Sequence, residues 1–190
     1  MLRPCSDAGM ADNPSEVAVA DDRKTPDVRV IPQLIDGQWI AASETAEVHD
    51  PYRGEVVARA PRSGLKELEH AMAAAVKAKS VMAAMPGFQR AALLRRVGAL
   101  LDQRVDHVAQ IMSRETGKAI KDAKGEVARS QDTIQLSAEE AIRIAGEQVP
   151  LDGSAMGAGK LAFLLRVPVG VVAGITPFNA PLISPVTRSP

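Results

Sequence analysis

The chain has 190 residues, of which 46% are hydrophobic and 24% charged, so its composition suits a folded domain rather than a wholly disordered chain. Its 23 Lys and Arg residues balance 23 Asp and Glu residues, and aromatic residues make up only 3%. Neither charge nor base stacking therefore favours a nucleic acid or an anionic membrane as partner. The single cysteine, Cys5, excludes an intrachain disulfide and a multi-cysteine metal site, and we predict no metal.

The sequence also carries signals about cellular location. Residues 1–20 lack the continuous apolar core of a secretory signal. The most apolar stretch, residues 161–183, is interrupted by Arg166, Pro168 and Pro177, which favours buried strands over a membrane span. We therefore predict a cytoplasmic protein without a membrane partner.

The first 60 residues predict a tail followed by a small β-meander. Residues 1–30 are rich in Asp, Ala, Pro and Ser and show no clear period, so we interpret them as a disordered tail. Strands are predicted between residues 34 and 60. The Asp36-Gly37 dipeptide supplies the positive φ angles of a tight hairpin turn, and residues 50–54 form a second turn.

Apolar residues at helical spacing predict three or four helices between residues 63 and 146. Ser63 is the predicted cap of the first helix, and Pro86-Gly87 ends it. Gly117 ends a short third helix, because glycine tolerates the left-handed conformation, and Gly146 stops a long fourth helix that begins near residue 119. The predicted buried faces are Leu65, Leu68, Met72 and Val76 in the first helix, Leu93, Leu94, Val97, Leu100, Leu101 and Val105 in the second, Val108, Ile111 and Met112 in the third, and Ala123, Val127, Ile134, Ala138, Ala141 and Ala145 in the fourth.

Two strands are predicted beyond the helices. Residues 163–167 form the first, and residues 169–175 are apolar nearly throughout, which is typical of a parallel strand covered on both faces. Together with the helices, these strands predict a mixed α/β fold. The glycine-rich stretch at 157–160 follows no strand and precedes no helix, so it does not have the context of a phosphate-binding loop.

The segment directly after the second strand is the best candidate for chemistry. Pro177 and Pro181 fix φ on both sides of Asn179, in a loop that leaves the carboxyl end of a strand, where α/β proteins bind ligands. An asparagine amide can donate a hydrogen bond to a developing negative oxygen. A rigid proline turn without a catalytic role explains the same residues, and spacing alone does not separate the two interpretations.

Several segments, in order along the chain, resemble the aldehyde dehydrogenase superfamily. Residues 168–172 and the following loop, Ile175-Thr176-Pro177-Phe178-Asn179-Ala180-Pro181, resemble the family's first cofactor-domain strand and the loop after it. The upstream segments that resemble the family are Ile35-Asp36-Gly37-Gln38-Trp39, Asp50-Pro51 with Gly54-Glu55-Val56, Arg90 with Leu93 and Leu94, Glu115-Thr116-Gly117-Lys118, and Gly146-Glu147 with Pro150. Phe178 with Ala180 is similar to the branch that contains lactaldehyde-type and phosphorylated- or phosphonate-aldehyde dehydrogenases.

The resemblance implies an enzyme that oxidises a small-molecule aldehyde with NAD or NADP. In the family, a cysteine thiolate attacks the aldehyde, an asparagine amide helps to hold the resulting oxyanion, and a glutamate activates water. Asn179 corresponds to the oxyanion donor, and Ile175, Thr176, Pro177 and Phe178 correspond to the cofactor-side loop. Residues 160–167 correspond to a strand through which the family oligomerises, which implies a homo-oligomer or pairing with a full-length relative.

The sequence departs from the family's pattern after Leu182. Two prolines in residues 183–190 oppose the helix that the family has there, and the nucleophilic cysteine and the glutamate do not follow. We therefore expect residues 31–182 to be the amino-terminal part of an aldehyde dehydrogenase domain, residues 183–190 to be a divergent tail, and the fragment to be inactive alone. A non-catalytic interaction module and an unrelated helical binding protein are the alternatives.

Overall fold

The computed structural model describes residues 28–182, which form a group of helices and three small sheets. The strands are β1 (Arg29–Val30), β2 (Gln33–Ile35), β3 (Gln38–Ile40), β4 (Glu44–His49), β5 (Val56–Arg62), β6 (Glu147–Val149) and β7 (Ala162–Leu164). The helices are α1 (Leu65–Ala84), α2 (Gly87–Asp102), α3 (Val105–Thr116) and α4 (Ile120–Arg143). The predicted α/β class is confirmed. Residues 183–190 and most of the predicted N-terminal tail, residues 1–27, lie outside the described residues.

The N-terminal strands are divided between two sheets rather than joined in one meander. One sheet has the order β1-β5-β4, with β1 parallel and β4 antiparallel to β5, and the other is the β2-β3 hairpin. Asp36 and Gly37 have φ angles of 50° and 73°, so the predicted hairpin turn is confirmed. Arg29 and Val30, which the sequence places at the end of the 1–30 tail, instead form β1, because their main-chain groups pair with β5.

A second turn joins β4 to β5 and is fastened by the side chain of Asp50. Its Oδ1 accepts hydrogen bonds from the main-chain N–H groups of Tyr52 at 2.8 Å and Arg53 at 3.0 Å. The N–H groups of Arg53 and then Tyr52 hold the pKa of this carboxyl below its ordinary value, because they stabilise its charged form. The side chain of Asp50 is therefore committed to the turn.

Helix α1 differs from its prediction at its start and on its apolar face. Gly64, not Ser63, is the N-cap, and its N–H donates to Oε2 of Glu67 at 2.8 Å. Ser63 instead donates to Oε1 of Gln33 at 2.6 Å. The predicted core residues of this helix remain 54–69% exposed, because β2 is the main element packed against α1 in the described part of the chain. These exposed residues are Leu65, Leu68, Met72 and Val76.

Small residues bring α2 and α4 into close contact. Ala91 of α2 and Ala138 and Ala141 of α4 are buried together. A Cβ placed on Gly87 would lie 2.7 Å from the carbonyl oxygen of Ala141, so only glycine fits at this start of α2 without a shift of the backbone. The predicted alanine face of α4 is confirmed except at Ala145, which lies beyond the end of the helix and is exposed.

Helix α3 packs on the other half of α4. Ala109, Met112, Ala123 and Val127 form its buried cluster with α4. Val105, predicted on the second helix, instead begins α3, because α2 ends at Asp102. Gly117 has a φ of 72° and its N–H donates to the carbonyl of Ser113 at 3.0 Å, so its predicted role as the stop of this helix is confirmed.

The C-terminal strands are shorter than predicted. The sequence predicts a strand at residues 163–167, and the family resemblance implies one at residues 160–167, but only Ala162–Leu164 is a strand. It pairs antiparallel with β6, which the sequence did not predict. Residues 169–175 form no strand, and Val169 and Ile175 are 87% and 83% exposed. A parallel strand needs neighbours for its main-chain hydrogen bonds, and no described strand lies beside this segment.

We predict opposite effects when alanine replaces two glycines at and beyond the end of α3. Gly117→Ala should lower the free energy of unfolding by about 1–2 kcal/mol, because the left-handed conformation disfavours a Cβ and Pro51 lies 3.3 Å from that Cβ position. Gly125→Ala, inside α4 where the nearest atom is an Arg129 nitrogen at 3.7 Å, should raise it by about 0.5–1 kcal/mol. Urea unfolding followed by circular dichroism measures both. Equal effects of the two substitutions would contradict this account of Gly117.

Candidate active site

The end of α3 fixes the backbone from which Lys118 extends. Gly117 turns the chain, and the Oγ of Ser113 then donates to the carbonyl of Lys118 at 2.7 Å. Thr116 supports the same turn, because its Oγ1 donates to the carbonyl of Met112 at 2.6 Å and accepts from the Lys118 N–H at 3.3 Å. The main chain of Lys118 is therefore held by hydrogen bonds at both its N–H and its carbonyl.

The side chain of Lys118 reaches a buried carboxylate on α4. Its Nζ forms an ion pair with Oε2 of Glu126, whose side chain is only 1% exposed, while that of Lys118 is 22% exposed. Glu126 lies on the buried face of α4 beside Val127, where an uncompensated charge would be costly. The ammonium group compensates the charge, and the carboxylate keeps a second oxygen available for another donor.

The Lys118–Glu126 pair holds the loop that contains Asn179. Nζ of Lys118 donates to the main-chain carbonyl of Asn179 at 3.0 Å, and Oε1 of Glu126 accepts from the main-chain N–H of Leu182 at 3.1 Å. The side chain of Leu182 also packs against the buried cluster between α3 and α4. Residues 179–182 are thus attached to the helices through main-chain atoms and one apolar side chain.

The predicted catalytic group, the carboxamide of Asn179, stays exposed at the surface of this loop. Within residues 28–182 it makes no hydrogen bond, because the bond from Lys118 goes to the main-chain oxygen. Its two N–H donors are therefore accessible to a molecule that approaches the loop. This arrangement is what an oxyanion donor requires, namely a fixed backbone and an uncommitted amide.

The other predicted site residues lie immediately before Asn179 on the same exposed segment. Ile175, Thr176, Pro177 and Phe178 are all exposed, and Phe178 is 96% so. They adjoin Asn179 along the chain, and no other described element covers them. The predicted site residues are therefore close to one another because they are neighbours in sequence.

Sequence reasoning missed the two residues that hold this loop. The sequence singles out Lys118 only as part of a family-like segment, and it does not single out Glu126. A usable signal exists, because Glu126 and Ser130 interrupt the buried face of α4 at helical spacing from Ala123, Val127 and Ile134. A charge at such a position indicates a buried pair, but the spacing does not name its partner.

Within residues 28–182, no group of three or more His, Cys, Asp and Glu residues could hold a metal ion. No helix in that range has the length and apolar character needed to cross a membrane. Cys5 lies outside the described residues.

Comparisons with known proteins agree with the fold. The model of the aldehyde dehydrogenase family matches residues 39–189, a range that includes most of the segment 183–190 for which we predict divergence. The chain therefore belongs to the aldehyde dehydrogenase family, which consists of oxidoreductases that act on aldehydes.

Individual relatives match over most of this chain but over a minor part of their own length. A malonate-semialdehyde dehydrogenase of Bacillus pumilus is 36% identical over 166 residues, which are 86% of this chain and 33% of the relative. Aldehyde dehydrogenase 21 of Physcomitrella patens, solved with the reaction product succinate, superposes with a TM-score of 0.79 at 36% identity, over 86% of this chain and 34% of that one. An NADP-dependent glyceraldehyde-3-phosphate dehydrogenase of Bacillus halodurans, complexed with NADP, gives a TM-score of 0.76 at 30% identity, over 83% and 35% of the two chains. The chain thus spans about a third of the length of the relatives it matches.

We predict that Lys118→Met lowers the free energy of unfolding by about 3 kcal/mol, because it leaves the buried carboxylate of Glu126 without its cation. Lys124→Met is the matched control, since Lys124 pairs with Asp106 at 2.6 Å but both side chains are at least half exposed. The control should change stability by less than about 0.5 kcal/mol. Chemical denaturation of both variants measures the difference, and similar losses in the two would contradict the assigned role of Glu126.

Proposed function

We propose that this chain contributes the oxyanion-stabilising residue, Asn179, and one wall of the dinucleotide site to an NAD- or NADP-dependent aldehyde dehydrogenase. The observation that supports this most is the attachment of the Asn179 loop through its main chain while the carboxamide remains exposed. Membership of the aldehyde dehydrogenase family supplies the reaction class.

In the proposed reaction, the aldehyde oxygen approaches the carboxamide of Asn179. A thiolate elsewhere in the complete protein attacks the carbonyl carbon, and negative charge develops on that oxygen. An N–H of Asn179 donates to the oxygen as the charge grows, and so favours the transition state more than the neutral substrate. Because the main chain at Asn179 is already held by Lys118, little rearrangement is needed at that moment.

The residues before Asn179 suit contact with a nicotinamide cofactor. Ile175 and Phe178 present exposed apolar side chains, and Pro177 fixes the backbone between them, so the segment offers a flat apolar wall. The bound cofactor would supply the hydride acceptor for aldehyde oxidation. The described residues supply only one side of such a cofactor site. We therefore propose that cofactor affinity depends on further parts of the complete protein.

We predict that the 190-residue chain alone forms no NAD(P)H from aldehydes. Its one thiol, Cys5, lies far in sequence from the Asn179 loop. A reactive thiol needs a neighbouring group that lowers its pKa, and the sequence around Cys5 does not predict such a partner. Purified protein incubated with a panel of small aldehydes and either cofactor should show no increase in absorbance at the NAD(P)H band. Turnover that disappears in Cys5→Ala would overturn this prediction, and turnover that persists in Cys5→Ala would identify a contaminant.

A chimera tests Asn179 directly. Residues 1–182 would be joined to the remaining two-thirds of the B. pumilus malonate-semialdehyde dehydrogenase, which is 36% identical over the shared region. Asn179→Ala in this chimera should lower kcat by about 100-fold or more, the usual scale for loss of one oxyanion donor. The affinity for the cofactor should change little, because Ile175 and Phe178 remain.

The control for this experiment is the same substitution in the 190-residue chain. Asn179→Ala should leave its melting temperature nearly unchanged there, since the exposed carboxamide makes no hydrogen bond within residues 28–182. An unchanged kcat in a chimera whose chemical step limits the rate would remove Asn179 from the proposed role.

A further inference from the structure

We propose that the Lys118–Glu126 ion pair is a positioning device for the Asn179 carboxamide. The proposal rests on the function proposed above, because it assigns the pair a part in orienting the oxyanion donor. Neither residue would touch substrate. Both would act through the main chain of residues 179–182.

The pair holds the loop at two complementary atoms. Lys118 offers a donor to the carbonyl of Asn179, and Glu126 offers an acceptor to the N–H of Leu182. Each residue of the pair also compensates its partner's charge. The loop is thus held at both ends of a four-residue segment by one ion pair.

These bonds restrict where the side chain of Asn179 can point. A hydrogen bond to the carbonyl of Asn179 holds the peptide plane that follows its Cα, and Pro181 restricts φ two residues later. With that plane held, the Cα–Cβ bond can change direction only by rotation about the Cα–C bond, the ψ angle of Asn179. The carboxamide then turns about its own χ angles, which have a few preferred values.

The pair is itself held by the surrounding structure. Glu126 extends from the interior of α4 and is buried, and Lys118 follows a helix end whose hydrogen bonds come from Ser113 and Thr116. Pro51, in the turn after β4, lies against Gly117. The anchor is therefore built on α4 and on the hydrogen-bonded turn that ends α3, and such support is what accurate positioning requires.

Amide hydrogen exchange at Leu182 tests the anchor in the 190-residue chain without any activity assay. Lys118→Met should accelerate exchange of the Leu182 amide by about 10-fold or more, because the loop loses its bond at Asn179 and Glu126 loses its cation. Lys118→Arg, which keeps the positive charge, should restore most of the protection. Lys124→Met, which breaks only the exposed pair with Asp106, should leave the Leu182 amide unchanged.

A second variant keeps the test decisive if Lys118→Met does not fold. Glu126→Gln keeps the size of the side chain and an acceptor oxygen but removes the charge that holds Lys118. It should also accelerate exchange at Leu182, by a smaller factor than Lys118→Met. Exchange as slow as in the unmodified chain, in either variant, would overturn the proposal.

A double-mutant cycle in the chimera separates positioning from a merely structural role. Lys118→Met should lower kcat by about 10-fold or more, because a small misplacement of a catalytic group is costly. In the Asn179→Ala background, the same substitution should have no further effect on kcat, since the group that it positions is already missing. If the fold-decreases in kcat of the two single variants instead multiply in the double variant, Lys118 acts only on general stability, and the proposal is overturned.

The cycle also distinguishes the two proposals. If Asn179→Ala leaves kcat unchanged, the proposed function fails whatever the exchange result. If Asn179→Ala lowers kcat but Lys118→Met does not, the proposed function stands and the positioning role fails.

Discussion

The buried carboxylate of Glu126 is the constraint on which the attachment of the Asn179 loop to the helices depends. An ionised group that is 1% exposed needs a counter-charge and hydrogen-bond donors, because its hydration has been lost. The counter-charge comes from Lys118 at the end of α3, and a donor comes from Leu182 after the loop. One requirement for charge compensation therefore links helix α4, the end of α3 and the Asn179 loop.

The sequence predicted the helices better than the strands, for a physical reason. A helix makes its hydrogen bonds within its own segment, so the spacing of Ala123, Val127 and Ala138 was enough to predict α4 and its buried face. A strand needs partners from elsewhere in the chain. Residues 169–175 have the composition of a buried strand, yet no described strand pairs with them and they form none themselves. For the same reason the short strand β6 could not be found from its own residues.

The residues of the candidate site could be singled out from the sequence, but the residues that hold them could not. Asn179 and the residues before it could be singled out, because prolines on both sides of an asparagine after an apolar segment form a local pattern. Glu126 and Leu182 are 56 residues apart in sequence, and Lys118 and Asn179 are 61 apart. No local pattern links residues at such separations, so the anchor became visible only once the helices were packed.

Two proline-containing turns in this protein use their polar side chains in different ways. In the turn after β4, Asp50 uses its own carboxylate to accept hydrogen bonds from Tyr52 and Arg53, and these bonds lower its pKa. That side chain stabilises its turn and has little capacity left for a ligand. In the loop at residues 179–182, the same task falls to the side chains of Lys118 and Glu126, which bind the main chain. Rigidity alone does not require a turn to keep its polar side chain free of hydrogen bonds. An oxyanion donor does need this, because an amide already bonded within the protein cannot donate to a substrate oxygen without first breaking that bond.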